Sequence, residues 1–136
     1  MNELPPLNII GKEVRRRDAF EKVTGRATYS TDITLPNMLH AKALRSPVGH
    51  ARITSLDASA AREMAGVHAV LTRDEIRSYA ADELMPVYGY FIKDQPIVAL
   101  DKVLYEGDIV AAVAADNERI ANQALAAIKV TYKELP

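Results

Sequence analysis

The sequence contains no cysteine. Without thiolates the chain can form neither a disulfide nor a cysteine-bound zinc or iron–sulfur site from its own residues. These redox and metal chemistries are therefore excluded as properties of this stretch of chain.

Long apolar runs and an excess of charge of one sign are also missing. The longest apolar run, residues 109–115, has seven residues, whereas a membrane-spanning helix needs about 20. A formal net charge of −1 gives no general attraction to nucleic acid or anionic lipid. Residues 1–6 lack the basic start and the apolar stretch of a secretory signal. We therefore expect a cytoplasmic protein that binds neither nucleic acid nor membrane.

The composition is that of a folded domain. Of the 136 residues, 49% are hydrophobic and 26% are charged, close to the globular averages of about 45–50% and about 25%. A chain of this length fits one domain with one continuous core. Residues 1–31 show no sustained helical or strand period, so we interpret them as an extended N-terminal arm before a single domain at residues 32–136.

Basic residues of the arm could suggest a contact patch. Lys12, Arg15, Arg16 and Arg17 lie close together, but acidic neighbours dilute their charge. A solvated or domain-contacting arm is the favoured interpretation, and a salt-sensitive nucleic-acid contact is the alternative.

Alternation of apolar and polar residues predicts several strands. Residues 38–45 alternate like a half-buried strand. Residues 109–114 are apolar on both faces, which is typical of a central strand covered on both sides. Further strands are predicted at residues 51–56, 67–71, 96–100, 102–105 and 129–135.

Helix signals lie between these strands. Asp57 can cap a short helix over residues 58–65, and Gly66 can supply its left-handed end. The segment Thr72-Arg73-Asp74-Glu75 has the form of a capping box, and Asp116 or Asn117 can cap a helix that runs to about residue 128. The sequence therefore predicts an α+β fold with a mixed or antiparallel sheet and two or three short helices.

No complete active site is apparent in the sequence. Neither a Gly-x-Ser-x-Gly elbow nor a glycine-rich phosphate loop occurs. His40, His50 and His68 lie on different predicted elements without metal-ligand spacing, so hydrogen-bonded structural roles are favoured. The carboxylate pairs Asp74/Glu75 and Asp82/Glu83 are adjacent residues of the kind that usually face water.

An aromatic stretch lies in a region without a clean period. Residues 85–91 combine Tyr88, Tyr90 and Phe91 with proline and glycine, which predicts a loop with an apolar surface. Only Lys93 lies near these rings, whereas a single-strand nucleic-acid site would interleave aromatic and basic residues.

Short motifs along nearly the whole chain resemble one known family in their order. The main matching segments are Lys22-Val23-Thr24-Gly25-Arg26-Ala27-Thr28-Tyr29, Arg45-Ser46-Pro47, His50-Ala51-Arg52-Ile53, Tyr105-Glu106-Gly107-Asp108 and Val130-Thr131-Tyr132-Lys133-Glu134-Leu135-Pro136. With these segments the sequence is similar to the N-terminal α/β-hammerhead domain of the molybdopterin-binding subunit in the xanthine dehydrogenase/aldehyde oxidase family. One departure is Glu106-Gly107-Asp108-Ile109, where many members have Gly-Glu-Pro-Val.

This resemblance implies an α/β-hammerhead fold and a place in a larger oxidoreductase. Molybdopterin-bound molybdenum would lie in C-terminal domains of the same subunit, and iron–sulfur clusters and FAD in partner subunits. The expected reaction is the oxidation of a xanthine-like purine or another N-heterocycle, with aldehydes left open. Catalytic, cofactor and metal residues would lie beyond Pro136, so we expect the chain to be an excised domain without activity of its own.

The resemblance also implies a place for the aromatic loop. In relatives, the loop before the strand at residues 94–97 contributes an apolar side chain to the substrate channel, and Phe91, with Tyr90 beside it, has that position here. The alternative is that these rings pack against the sheet or against another domain. A different interpretation of the whole chain is a free-standing protein-interaction module that retains the hammerhead fold.

Overall fold

The computed structural model describes residues 9–79, 87–89, 91–92 and 94–136. Its residues form two compact units, Met1–Pro36 and Asn37–Pro136. The units are described separately below.

The first unit contains a short helix, α1 (Ala19–Val23), and a single 3-10 turn at Ser30–Asp32. Asp18 precedes α1 and pairs with Arg16, at 2.5 Å, and with Lys22, at 2.9 Å. These two cations hold the pKa of Asp18 below its ordinary value, with Lys22 the larger cause. The prediction of extended chain is therefore wrong at residues 19–23. Five residues are too few to give a hydrophobic period, and local ion pairs and hydrogen bonds form the turn instead.

The second unit contains eight strands and three α-helices within the described residues. In chain order they are β1 (His40–Arg45), β2 (Ala51–Asp57), α2 (Ser59–Arg62), β3 (Val67–Leu71), α3 (Arg73–Tyr79), β4 (Val87–Tyr88), β5 (Gln95–Pro96), β6 (Lys102–Val103), β7 (Ile109–Ala115), α4 (Glu118–Ala127) and β8 (Lys129–Glu134).

The strands form two three-stranded sheets and one two-stranded sheet. Their orders are β1-β7-β3, β6-β2-β8 and β4-β5. Every one of these described pairings is antiparallel. The predicted α+β fold is confirmed, and of the two sheet types that the sequence allowed, these strands form the antiparallel one.

Strand β7 links the two hydrophobic clusters of this unit. Ala111 and Val113 pack with α2 and α4, while Val110 packs with residues of β2 and β6. All three side chains are at most 1% exposed. The apolar run at residues 109–115 is thus a central strand covered on both faces, as predicted, and each buried valine contributes roughly 1.5–3 kcal/mol.

Local signals in the sequence correctly predicted the starts of α3 and α4. Asn117 Oδ1 accepts the N–H of Ile120 at 3.0 Å and caps α4. Glu75 Oε2 accepts hydrogen bonds from the Thr72 N–H and hydroxyl at 2.7 and 2.5 Å, which forms half of the predicted capping box. Gly66 has the predicted left-handed backbone, with a φ of +83°, but α2 is shorter than predicted and ends at Arg62.

Two predicted strands are shorter than expected. Of the predicted strand 96–100, only Pro96 lies in a strand, β5 (Gln95–Pro96). Of the predicted strand 102–105, only Lys102–Val103 does. Val98 and Ala99 are nevertheless buried. Their apolar character reflects the core they fill and not a continuous strand.

Candidate functional site

The aromatic stretch lies on a hairpin formed by β4 and β5. Val87 pairs with Pro96, and Tyr88 pairs with Gln95. Between these strands, the Phe91 residue is 92% exposed and Ile92 is 71% exposed. Two large apolar side chains are therefore presented to the surroundings of this unit.

Tyr90, which the sequence analysis placed beside Phe91, lies outside the described residues. So do Asp82 and Glu83. The channel-lining hypothesis consequently depends on Phe91 and its described neighbours.

A turn at residues 104–108 lies next to the hairpin and is anchored to the end of β1. The N–H of Gly107 donates to the Ser46 carbonyl at 2.9 Å, and the N–H of Ser46 donates to the Asp108 carbonyl at 2.8 Å. Arg45 Nη1 donates to the Gly107 carbonyl at 2.8 Å, and the Asp108 carboxylate accepts the N–H of Leu104 at 3.1 Å. These hydrogen bonds fix the position of the turn relative to the end of β1.

A side-chain hydrogen bond joins the hairpin to the turn. Gln95 Nε2 donates to the Tyr105 hydroxyl oxygen at 3.0 Å. A cavity of about 260 Å³ lies at this junction and is lined by Asp94, Gln95, Pro96, Leu104 and Tyr105. The sequence did not predict the contact between Gln95 and Tyr105, because no short-range motif signals a contact between side chains ten residues apart.

Two of the three histidines have the structural roles predicted for them. His50 Nδ1 lies 2.8 Å from the Pro136 carbonyl oxygen, and His68 Nε2 lies 2.6 Å from Asp116 Oδ1. The third, His40, is the first residue of β1. In the part of the chain that the structure describes, no three His, Asp or Glu side chains are grouped so that they could hold a metal ion.

Glu75 of the pair Asp74/Glu75 has a structural use. Burial alone would raise its pKa, but hydrogen bonds from Thr72 and an ion pair with Arg62 outweigh burial and lower the pKa below its ordinary value. Glu75 is thus kept charged at the start of α3. Its carboxylate caps α3 by accepting the N–H of Thr72.

Some basic side chains of the N-terminal unit have partners within that unit. Arg16 and Lys22 both pair with Asp18, and the Arg26 guanidinium lies 5.9 Å from the centroid of the Phe20 ring.

Within the described ranges, no helix is long and apolar enough to cross a membrane.

Comparison with known proteins places this geometry in a wider context. The family described as "Aldehyde oxidase and xanthine dehydrogenase, a/b hammerhead domain" matches residues 24–136. The chain is 44% identical over 128 residues to a probable xanthine dehydrogenase subunit of Bacillus subtilis (strain 168). It is 42% identical over 127 residues to the "Nicotinate dehydrogenase large molybdopterin subunit" of Eubacterium barkeri.

These matches cover nearly all of this chain but a small part of each relative. They include 93% of the chain in both cases, and 16% and 28% of the two relatives. Among solved structures, CO dehydrogenase from Oligotropha carboxidovorans aligns with a TM-score of 0.83 at 32% identity, over 93% of this chain and 15% of that one. The fold and the sequence agree, and the chain belongs to the aldehyde oxidase and xanthine dehydrogenase a/b hammerhead domain family.

Proposed function

We propose that this chain serves as the hammerhead domain of a molybdenum-dependent hydroxylase that oxidises a purine or another N-heterocycle, and that the β4–β5 hairpin forms part of the wall of the substrate entrance. The names of two relatives support the substrate class, since xanthine and nicotinate are both N-heterocycles. Both relatives are more similar in sequence than the CO dehydrogenase, at 44% and 42% against 32% identity.

The observation that carries this proposal is the exposure of Phe91, at 92%. A group of exposed apolar side chains offers area that a ligand or another domain can bury. Tyr88, Ile92 and Leu104 add further exposed apolar area nearby in the hairpin and the turn. Aromatic side chains such as Phe91 and Tyr88 commonly line sites for planar heterocycles, which can stack on their rings.

The proposal assigns the chemistry to other parts of the enzyme. Larger molybdopterin-binding domains of the same subunit, together with iron–sulfur and flavin subunits, are the proposed partners. The molybdopterin cofactor would supply the oxidation chemistry when bound, while protein side chains bind and orient the substrate. The contribution of this chain is then to admit a heterocycle and to exclude poorly fitting ones.

The test uses the intact subunit, encoded by the gene that contains this sequence, assembled with its partners. Phe91→Ala removes the exposed ring. Losing an aromatic contact of about 0.5–1.5 kcal/mol should raise KM for N-heterocycles roughly two- to tenfold, with molybdenum content and kcat unchanged. Steady-state kinetics with xanthine and nicotinate, together with metal analysis, give these quantities.

Leu39→Ala is the matched control. Leu39 is 43% exposed. It precedes the first residue of β1, His40, which pairs with Ala115. The turn at residues 104–108 contacts the opposite end of β1, at Arg45. Six strand residues separate these ends by roughly 20 Å. The control should keep the wild-type KM. Equal KM values for Phe91→Ala and wild type would contradict the proposed entrance role, and an intact subunit without molybdenum would contradict the assignment to a hydroxylase.

A further inference from the structure

We propose that the hydrogen bond from Gln95 to Tyr105 holds the β4–β5 hairpin in place, so that Tyr105 is a positioning residue for the substrate entrance. This inference rests on the proposed function, because it explains how the same hairpin keeps its position. Tyr105 itself need not touch the substrate. It acts on the entrance through Gln95 and the hairpin.

The hairpin requires support from outside itself. Among its described residues it has two pairs, Val87 with Pro96 and Tyr88 with Gln95. Pro96 has no N–H to donate to its partner strand, and an isolated two-stranded hairpin is at best marginally stable in water. A pair of strands this short cannot fix the Phe91 loop by backbone pairing alone.

The support available is the turn at residues 104–108. This turn is fixed to the end of β1 through Arg45 and Ser46, and the N–H of Asp108 donates to the Tyr105 carbonyl at 3.2 Å. The Tyr105 backbone is therefore held in place by the main sheet. A side-chain hydrogen bond to its hydroxyl transmits that rigidity to β5.

A second tether acts farther along the chain. The N–H of Ala99 donates to the Ile109 carbonyl at 2.7 Å, which fixes the segment that leaves β5. Ala99 is three residues beyond Pro96, so this bond does not restrain the strand pair directly. The Gln95 to Tyr105 bond, in contrast, acts directly on a residue of the hairpin strands.

Tyr105→Phe tests the hydroxyl alone, because the ring that lines the cavity with Leu104 and Pro96 is retained. Amide hydrogen exchange of Val87, Tyr88 and Gln95, followed by NMR in the 136-residue chain, reports opening of the hairpin. Losing one hydrogen bond should lower their protection about two- to tenfold. Amides of the central strand β7 should be unaffected.

Four further variants separate the loss of this hydrogen bond from a general loosening of the hairpin. Gln95→Leu should lower protection as much as Tyr105→Phe does, and the double variant should lower it no further. Gln95→Glu should keep most of the wild-type protection, because the carboxylate can accept a hydrogen bond from the Tyr105 hydroxyl. Tyr88→Phe removes a hydroxyl from the opposite strand of the same hairpin and should leave protection at the wild-type level.

The functional readout uses the intact subunit with its partners. Tyr105→Phe should change the ratio of KM values between a bicyclic and a monocyclic N-heterocycle, with kcat unchanged. Unchanged protection in both Tyr105→Phe and Gln95→Leu would overturn the inference and leave the proposed function standing. Lowered protection with an unchanged KM ratio would also overturn it if Phe91→Ala still raises KM. If Phe91→Ala has no effect either, the proposed function itself fails.

Discussion

The backbone N–H of Asp116 donates to the carbonyl of Gly66 at 2.9 Å, and this bond joins the turn before β3 to the start of α4. Gly66 has a φ of +83°, and a Cβ atom there would lie 2.8 Å from Ile120 Cδ1 and 2.9 Å from Asp116 Oδ2. The glycine is therefore needed for two reasons, its backbone conformation and its close neighbours.

Replacement of Gly66 by alanine should destabilise the chain. The left-handed conformation alone costs about 1–2 kcal/mol for a residue with a Cβ atom, and Asp116 must also move, which disturbs its bond to His68. We expect the free energy of unfolding in urea to fall by roughly 1–3 kcal/mol.

Gly25→Ala is the control for this prediction. Gly25 has a φ of +69° with nothing within 4 Å of a built Cβ, so it carries the strain without the crowding. Gly66→Ala should cost more than Gly25→Ala. Equal losses would show that the contacts with Asp116 and Ile120 relax freely.

Acid should weaken the contribution of Glu75 to stability. Its pKa is lowered in the folded chain because hydrogen bonds from Thr72 and the ion pair with Arg62 outweigh burial. A depressed carboxylate pKa stabilises the fold above the unfolded value of about 4.3 and loses that contribution as pH falls through the lower folded value. Glu75→Gln should therefore cost about 1 kcal/mol at pH near 7 and less in strong acid.

Urea unfolding at several pH values measures this difference. Glu134→Gln changes an exposed carboxylate on β8 and serves as the control, with little expected effect at any pH. A Glu75→Gln penalty that stays constant from neutral to strongly acid pH would show that the charge is not what stabilises the start of α3.

The cap of α4 should matter more than polar residues within that helix. Asn117 accepts the N–H of Ile120 at 3.0 Å, and α4 buries Ala121 and Ala124 against the sheet. Asn117→Ala should lower the free energy of unfolding by about 0.5–2 kcal/mol. Asn122→Ala, at an exposed position inside the helix, should be neutral or slightly stabilising because alanine is the better helix former. The opposite order, measured by thermal and urea unfolding, would refute the capping role.

Features that depend on neighbours in sequence were predictable. The Thr72 and Glu75 contact spans three residues, the Asn117 cap spans three, and the positive φ of Gly66 is a property of one residue. The central position of β7 followed from its apolar run. The order of many weak motifs along the chain identified the family before any contact was known.

Features made by distant residues were not predictable. Arg73 Nη1 donates to the carbonyls of Ile53 and Leu100 at 3.1 and 3.3 Å, over separations of 20 and 27 residues. The Gln95 to Tyr105 bond is another such contact. Both arise from how the strands are brought together, and no local pattern of residue types encodes that arrangement. Helix α1 is an exception among local features, because its ion pairs join near neighbours but its five residues are too few to show an apolar stripe.

The most direct test of the central claim is whether a heterocyclic substrate protects position 91. Because the chain has no cysteine, Phe91→Cys and the control Leu39→Cys each place one thiol in it, and mass spectrometry of the corresponding peptide follows maleimide labelling in the intact enzyme. At about ten times KM, an N-heterocycle should slow labelling roughly tenfold at position 91 and leave position 39 unchanged. Labelling at position 91 that proceeds at the same rate with and without substrate would contradict the placement of this hairpin at the substrate entrance.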